Sequence, residues 1–207
     1  MKKLNLFLTL ATLIVFSQFG FAQITGSAHD FSAELWNTSS QEICIVCHTP
    51  HNATTIADAP LWNHALSTAS FTLYSSGTLN ATMGQPDGSS KLCLSCHDGT
   101  VAIANYGGVV NDPTLMTGAF LVGTDLSNDH PVSFTYNAAL ALADPGLVNP
   151  ITAPSGIPGG TNINADMLIS GKMQCSSCHD VHNSAGIGSL LVKSNIGSAL
   201  CLTCHDK

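Results

Sequence analysis

The longest apolar run in the chain is Leu4 to Phe19, preceded by Lys2 and Lys3 and followed by Gly20-Phe21-Ala22. A basic start, an apolar stretch of this length and small residues where a signal peptidase reads them predict an export signal over 1–22, cleaved before Gln23. Left uncleaved, the same run would be a membrane anchor. Beyond it the apolar residues follow neither the 3.6-residue period of an amphipathic helix nor the alternation of a half-buried strand. Ser, Thr, Asn, Gly and Ala fill long stretches instead. Two short helices are legible all the same. Ser39-Ser40-Gln41-Glu42 has capping-box spacing and predicts a helix start, with Pro50 breaking the helix. Ser90 as N-cap and Gly99 as C-terminal stop bound a second one. Pro145 to Gly160 is rich in turn residues and reads as loop. The expected fold is mostly coil with a few short helices and little sheet.

A chain of 207 residues is long enough for an ordinary core. With so little regular pattern, however, it needs staples. Only 9% of residues are charged, and all six basic residues are lysines. The net charge of −7 offers no basic patch to neutralise phosphates, which argues against nucleic acid as a partner.

The staples are in the cysteines. All eight fall in four C-x-x-C-H runs: Cys44, Cys47 and His48; Cys93, Cys96 and His97; Cys175, Cys178 and His179; Cys201, Cys204 and His205. This is the pattern of c-type haem attachment, in which both thiols add across the vinyl groups and the next histidine is the proximal iron ligand. Zinc would use two cysteine pairs per ion, and disulfides would suit an exported chain. Neither explains a histidine directly after every pair. With His at about 4% of residues, four chance placements come to roughly one in 10⁵ to 10⁶. Four covalent haems c are therefore expected, and the fold becomes a multihaem cytochrome organised around four stacked haems.

Five further histidines, His29, His51, His64, His130 and His182, are available for four distal positions. If every iron has two histidines, each is six-coordinate and closed, and the protein moves electrons rather than binding substrate at the metal. His179 is committed to its own haem, so His182, about one turn on, points past that ring and can reach the next iron. His51 stands in the same relation to His48. His51 and His182 are thus expected as cross-ligands, with His130 next, and one of His29 and His64 is spare. Met83, Met116, Met167 and Met173 read as packing residues, since histidines are in excess. Leu61, Trp62, Phe71, Leu73 and Tyr74 read as haem-packing anchors.

The four sites alternate. The first and third share a histidine three places after the proximal one and then Asn, at His51-Asn52 and His182-Asn183, while the second and fourth share Leu-Cys-Leu-[Ser/Thr]-Cys-His-Asp from Leu92 and Leu200. The order is a two-haem module used twice, about 39–110 and 165–207, with an inserted middle section, inside one domain over 23–207. The fourth site is expected at the extremity of the chain with little sequence to cover it.

His29-Asp-Phe-Ser, Cys47-His-Thr-Pro-His-Asn, Leu61-Trp-Asn, Leu92-Cys-Leu-Ser-Cys-His-Asp-Gly-Thr, Asp129-His-Pro-Val-Ser-Phe and Leu200-Cys-Leu-Thr-Cys-His together resemble bacterial tetrahaem cytochromes of the doubled C-x-x-C-H type. They are especially similar to outer-surface cytochromes that polymerise into extracellular nanowire filaments. The resemblance implies a continuous haem stack, bis-histidine iron, sparse secondary structure and a histidine of one subunit completing a haem in the next. His29 on the N-terminal arm and the fourth site at the other chain end would suit such a head-to-tail contact, which does not close on itself and so builds a filament. Low charge favours packing of like subunits.

The function expected is therefore electron transfer without catalysis, along a homopolymer that exchanges electrons with redox partner proteins or extracellular acceptors. A monomeric periplasmic shuttle is the alternative. A membrane-anchored quinol dehydrogenase would require the N-terminal run to stay in place, and a multihaem reductase would require an altered proximal residue or too few histidines. Mass spectrometry of the mature protein is expected to find its N-terminus at Gln23; a chain retaining residues 1–22 would contradict the export signal.

Overall fold

A computed structural model describes residues 23–37, 41–56 and 59–206. Most of this chain is turn and coil. The helices are α1 (Gly88–His97), α2 (Ala138–Ala143), α3 (Ile163–Asp166) and α4 (Cys201–Cys204), supplemented by single 3-10 turns. The strands form two antiparallel pairs: β1 (Thr54–Ile56) with β2 (Ala59–Trp62), and β3 (Phe134–Thr135) with β4 (Lys172–Met173). No helix among the described residues is long and apolar enough to cross a membrane, and the export signal lies outside them.

The longest helix, α1, carries the second C-x-x-C-H run. Gly99 follows its C-terminus with φ +72°, the left-handed conformation a glycine stop supplies. Its start differs from the sequence expectation. Asp87 stands at the N-cap position, and Ser90 is already inside the helix, where its hydroxyl donates to the Gln174 side chain. A buried acceptor from a distant segment outcompetes the local capping geometry. Around the first motif no helix forms among the described residues. Cys44 to Cys47 make a turn, closed where the His48 amide donates to the Cys44 carbonyl at 2.8 Å. Ser39 and Ser40 of the expected capping box lie outside the described residues.

The apolar side chains divide into small clusters. The largest, in the second half, joins Phe134, Tyr136, Ile163, Met167, Leu168, Met173, Leu200 and Cys204. In the first half Ala59, Trp62 and Leu92 form one cluster and Phe71, Leu94 and Leu126 another. Leu92 and Leu94 thus anchor α1 into both first-half clusters. The middle section builds much of the second-half core: Tyr136 donates its hydroxyl to the Val148 carbonyl, and β3 pairs with β4 just before the third motif. As expected, Pro145 to Gly160 holds no helix or strand.

Truncating Ile163, which has 0% exposure, to Ala is expected to cost about 2–5 kcal/mol of stability. The same change at Ile196, 88% exposed, is expected within about 0.5 kcal/mol of wild type. Denaturant melts of the two variants check the contrast.

Candidate haem sites

The four motifs share one local construction. In each, the histidine amide donates to the carbonyl of the first cysteine or, within α1, belongs to the helix; the distances are 2.8 Å at His48 and 3.1 Å at both His179 and His205. A strap of chain then returns across the motif. The Asn63, Val192 and Val148 amides donate to the carbonyls of Cys47, Cys178 and Cys204, at 2.9, 3.0 and 3.0 Å. At the second motif the Val122 amide donates to the His97 carbonyl at 2.8 Å. The strap of the fourth motif is the middle section, through Leu147 opposite His205.

The straps also set the imidazoles. Nδ1 of His48 lies 2.8 Å from the Pro60 carbonyl, that of His97 2.7 Å from Phe120, and that of His179 2.9 Å from Ser189. A histidine donating from Nδ1 to a carbonyl keeps the lone pair on Nε2, the arrangement a metal-ligating imidazole needs. Opposite three motif histidines stands a second histidine. Ring centroids are 6.2 Å apart for His29 and His97, 6.3 Å for His48 and His182, and 6.3 Å for His130 and His205.

These separations fit a shared axial metal. Two imidazoles bound to one ion from opposite sides, each with a metal–nitrogen bond of about 2.0–2.1 Å, place their centroids about 6.3 Å apart. Rotation about that axis changes the interplanar angle without changing the separation, so the observed 34°, 17° and 76° are all compatible. Burial, then the nearby His97, His179 and His182, lower the pKa of His29 to about 4, which leaves its ring neutral and able to ligate at neutral pH. The surroundings also suit a large apolar group. A cavity of about 770 Å³ runs past His48, His97 and His179, lined mainly by apolar side chains. Trp62 lines it too, and its buried indole Nε1 has no hydrogen-bond partner among the described residues, a donor free for an acceptor such as a carboxylate.

The remaining histidines stand apart. His51 is exposed, and neither it nor His179 faces a second histidine at this separation among the described residues. His64 is 1% exposed, with Nδ1 2.7 Å from the Ala65 carbonyl and Nε2 3.1 Å from that of Ala102. Its Nε2 also lies 3.5 Å from the Cys96 sulfur, and of the two histidines that the sequence ranks equally, His29 faces a motif histidine at this separation and His64 does not. Met167 and Met173 are buried in the second-half core, and Met83 packs against it.

Two features escape sequence reading. The carbonyls of Pro60, Phe120 and Ser189 are backbone groups, with no side-chain signature. The second is the anchor of the N-terminal arm. Asn37, fully buried, accepts from the Tyr106 hydroxyl at 2.6 Å and donates to the Phe31 carbonyl at 2.9 Å, which holds the segment carrying His29. An Asn in a polar stretch gives no hint of burial.

The thiols follow one another through the molecule. Burial, followed by Cys44, raises Cys47 to about 11; burial, followed by Cys47, raises Cys96 to about 12. Cys93 and Cys175 are within hydrogen-bonding reach, which raises the first and lowers the second to about 7. Cys178 feels Cys201, and Cys204 feels Cys178. The second and third attachment points adjoin, since the Cys175 amide donates to the Ser90 hydroxyl of α1 at 2.9 Å.

A family model described as the doubled CXXCH motif matches residues 169–207, which span the third and fourth runs. No curated protein matches the chain. The match and the mostly coiled fold support a multihaem c-type cytochrome for electron transfer, with haem c bound covalently through the C-x-x-C-H runs.

Replacing His182 by Ala is expected to convert one haem of the loaded protein from low-spin to high-spin and open it to carbon monoxide. Replacing His64 by Ala is expected to leave the spin state unchanged. Absorption spectra with and without carbon monoxide read both outcomes.

Proposed function

We propose that this chain is an exported tetrahaem cytochrome that carries electrons along a row of bis-histidine haems and polymerises head to tail into an extracellular filament. The observation that carries the reading is the pairing of histidines across three motifs, together with the pair left over. His29 serves the second motif and His130 the fourth. Each is the histidine that precedes its own half, so the repeated module extends upstream to include it. His182, three places after the third proximal histidine, serves the first motif, in the preceding half.

By the same rule His51, three places after the first proximal histidine, should serve the third motif of a preceding half. Among the described residues His179 faces no second histidine at this separation, and exposed His51 is left over. A second copy supplies the preceding half: His51 of one subunit completes the site of His179 in its neighbour. A contact between unlike surfaces of this kind repeats without closing. His51 takes this part rather than His29, which lies against His97 of its own chain.

When bound, haem c supplies reversible one-electron chemistry at iron. The protein's own residues fix the rest. The cysteines would hold the haems covalently, the straps orient the motif histidines, and the facing histidines would be the second ligands that leave no open position for substrate. The result is a conduit and not a catalyst.

Electron microscopy of the secreted fraction is expected to show filaments for wild type and none for His51→Ala, whose dispersed subunits bind carbon monoxide at one haem in four. Filaments formed equally well by the variant would overturn the assignment of His51. Wild-type protein that is monomeric with four closed haems would point to the periplasmic shuttle.

A further inference from the structure

The two halves of the molecule meet where α1 lies against the turn of the third motif. At that place the hydroxyls of Ser89, on the helix that carries Cys93, and of Ser176, next to Cys175, are 2.6 Å apart. A cluster of buried polar groups surrounds them. Gln174 is 2% exposed and Ser90 0%. The Gln174 Oε1 atom accepts from the Ser90 hydroxyl, from the Ser90 amide at 3.2 Å and from the Ser133 hydroxyl at 3.1 Å. Its Nε2 donates to Asp87 at 2.9 Å, and Asp87 is paired with Lys172. The Ser90 hydroxyl in turn accepts from the Cys175 amide at 2.9 Å.

One side chain thus bonds to the start of the helix that carries Cys93, to the middle section and, through Ser90, to the backbone of Cys175. Polar groups this buried are costly unless every partner is in place, so the cluster admits one arrangement of the two segments. Apolar contact also crosses between the halves, with Ala81 and Met83 packed against the second-half cluster, but it carries no direction. The directional junction is polar and centred on Gln174.

We propose that Gln174 is a positioning residue that holds the segments carrying Cys93 and Cys175 against each other and so sets the electron step between the two halves of the chain. The inference rests on the haem reading given above. It assigns the step from first half to second to the second and third sites, and it gives Gln174 a role apart from ligation.

The test compares haem-loaded wild type with Gln174→Met, similar in shape but without the hydrogen bonds. A pyridine haemochrome assay first counts covalent haems; fewer than four in wild type would count against the tetrahaem reading and leave this inference a separate question of geometry. With four haems in both proteins, Gln174→Met is expected to keep its low-spin spectrum and lose amplitude in the bisignate Soret circular dichroism couplet that reports haem-to-haem coupling. Ser155→Ala, which breaks a buried bond to Asp166 within the second half, is expected to leave the couplet unchanged. Should Gln174→Met fail to load, Ser90→Ala carries the same expectation, because it removes the link to Cys175. A couplet unchanged in the loaded variant, with only a lower melting temperature, would overturn the proposal.

Discussion

A hydrogen bond from Nδ1 of a histidine to a backbone carbonyl is the interaction on which the rest of this molecule depends. It fixes the ring, commits one nitrogen as donor and leaves Nε2 with its lone pair facing outward. At three motifs the carbonyl is delivered by a segment that comes back across the motif, the straps at Pro60, Phe120 and Ser189. The small hairpin of β1 and β2 exists in this light to return residues 60–63 to the first motif. The middle section is likewise no mere insertion, because Leu147 and Val148 strap the fourth motif while Phe134 and Tyr136 fill the second-half core.

From that constraint follows the economy of the fold. Each motif is built from a turn and a strap, and three of the four from a facing histidine as well, so long helices and broad sheets are unnecessary. The apolar residues gather into separate patches beneath the motifs. The directional joints are polar: the cluster around Gln174 between the halves, and Asn37 with Tyr106 beneath the N-terminal arm. In a chain with little regular structure, buried hydrogen bonds supply the specificity that packed helices supply elsewhere.

The attachment chemistry was legible in the sequence because it is carried by residue type and spacing: two thiols and an imidazole, four times over. So was the sparse secondary structure, from the missing periodicity. The repeat was legible around the motifs but stopped short of His29 and His130, since its upstream members are single histidines separated from their motifs by unequal stretches. The relation between them emerges only when His29 faces His97 and His130 faces His205. Helix starts were least legible. Ser90 has the composition of a cap, yet its hydroxyl is taken by Gln174, 84 residues away. His64 resembles a ligand in sequence, and its burial between the Ala65 and Ala102 carbonyls, beside the Cys96 sulfur, was not legible there.

The central claim is that the facing histidines are axial pairs. A density map of the haem-loaded protein tests it most directly. The account predicts iron midway between the rings of His29 and His97, of His48 and His182, and of His130 and His205. Iron found beside the motif histidines with any other side chain on its far face, or no iron between these pairs, would contradict it.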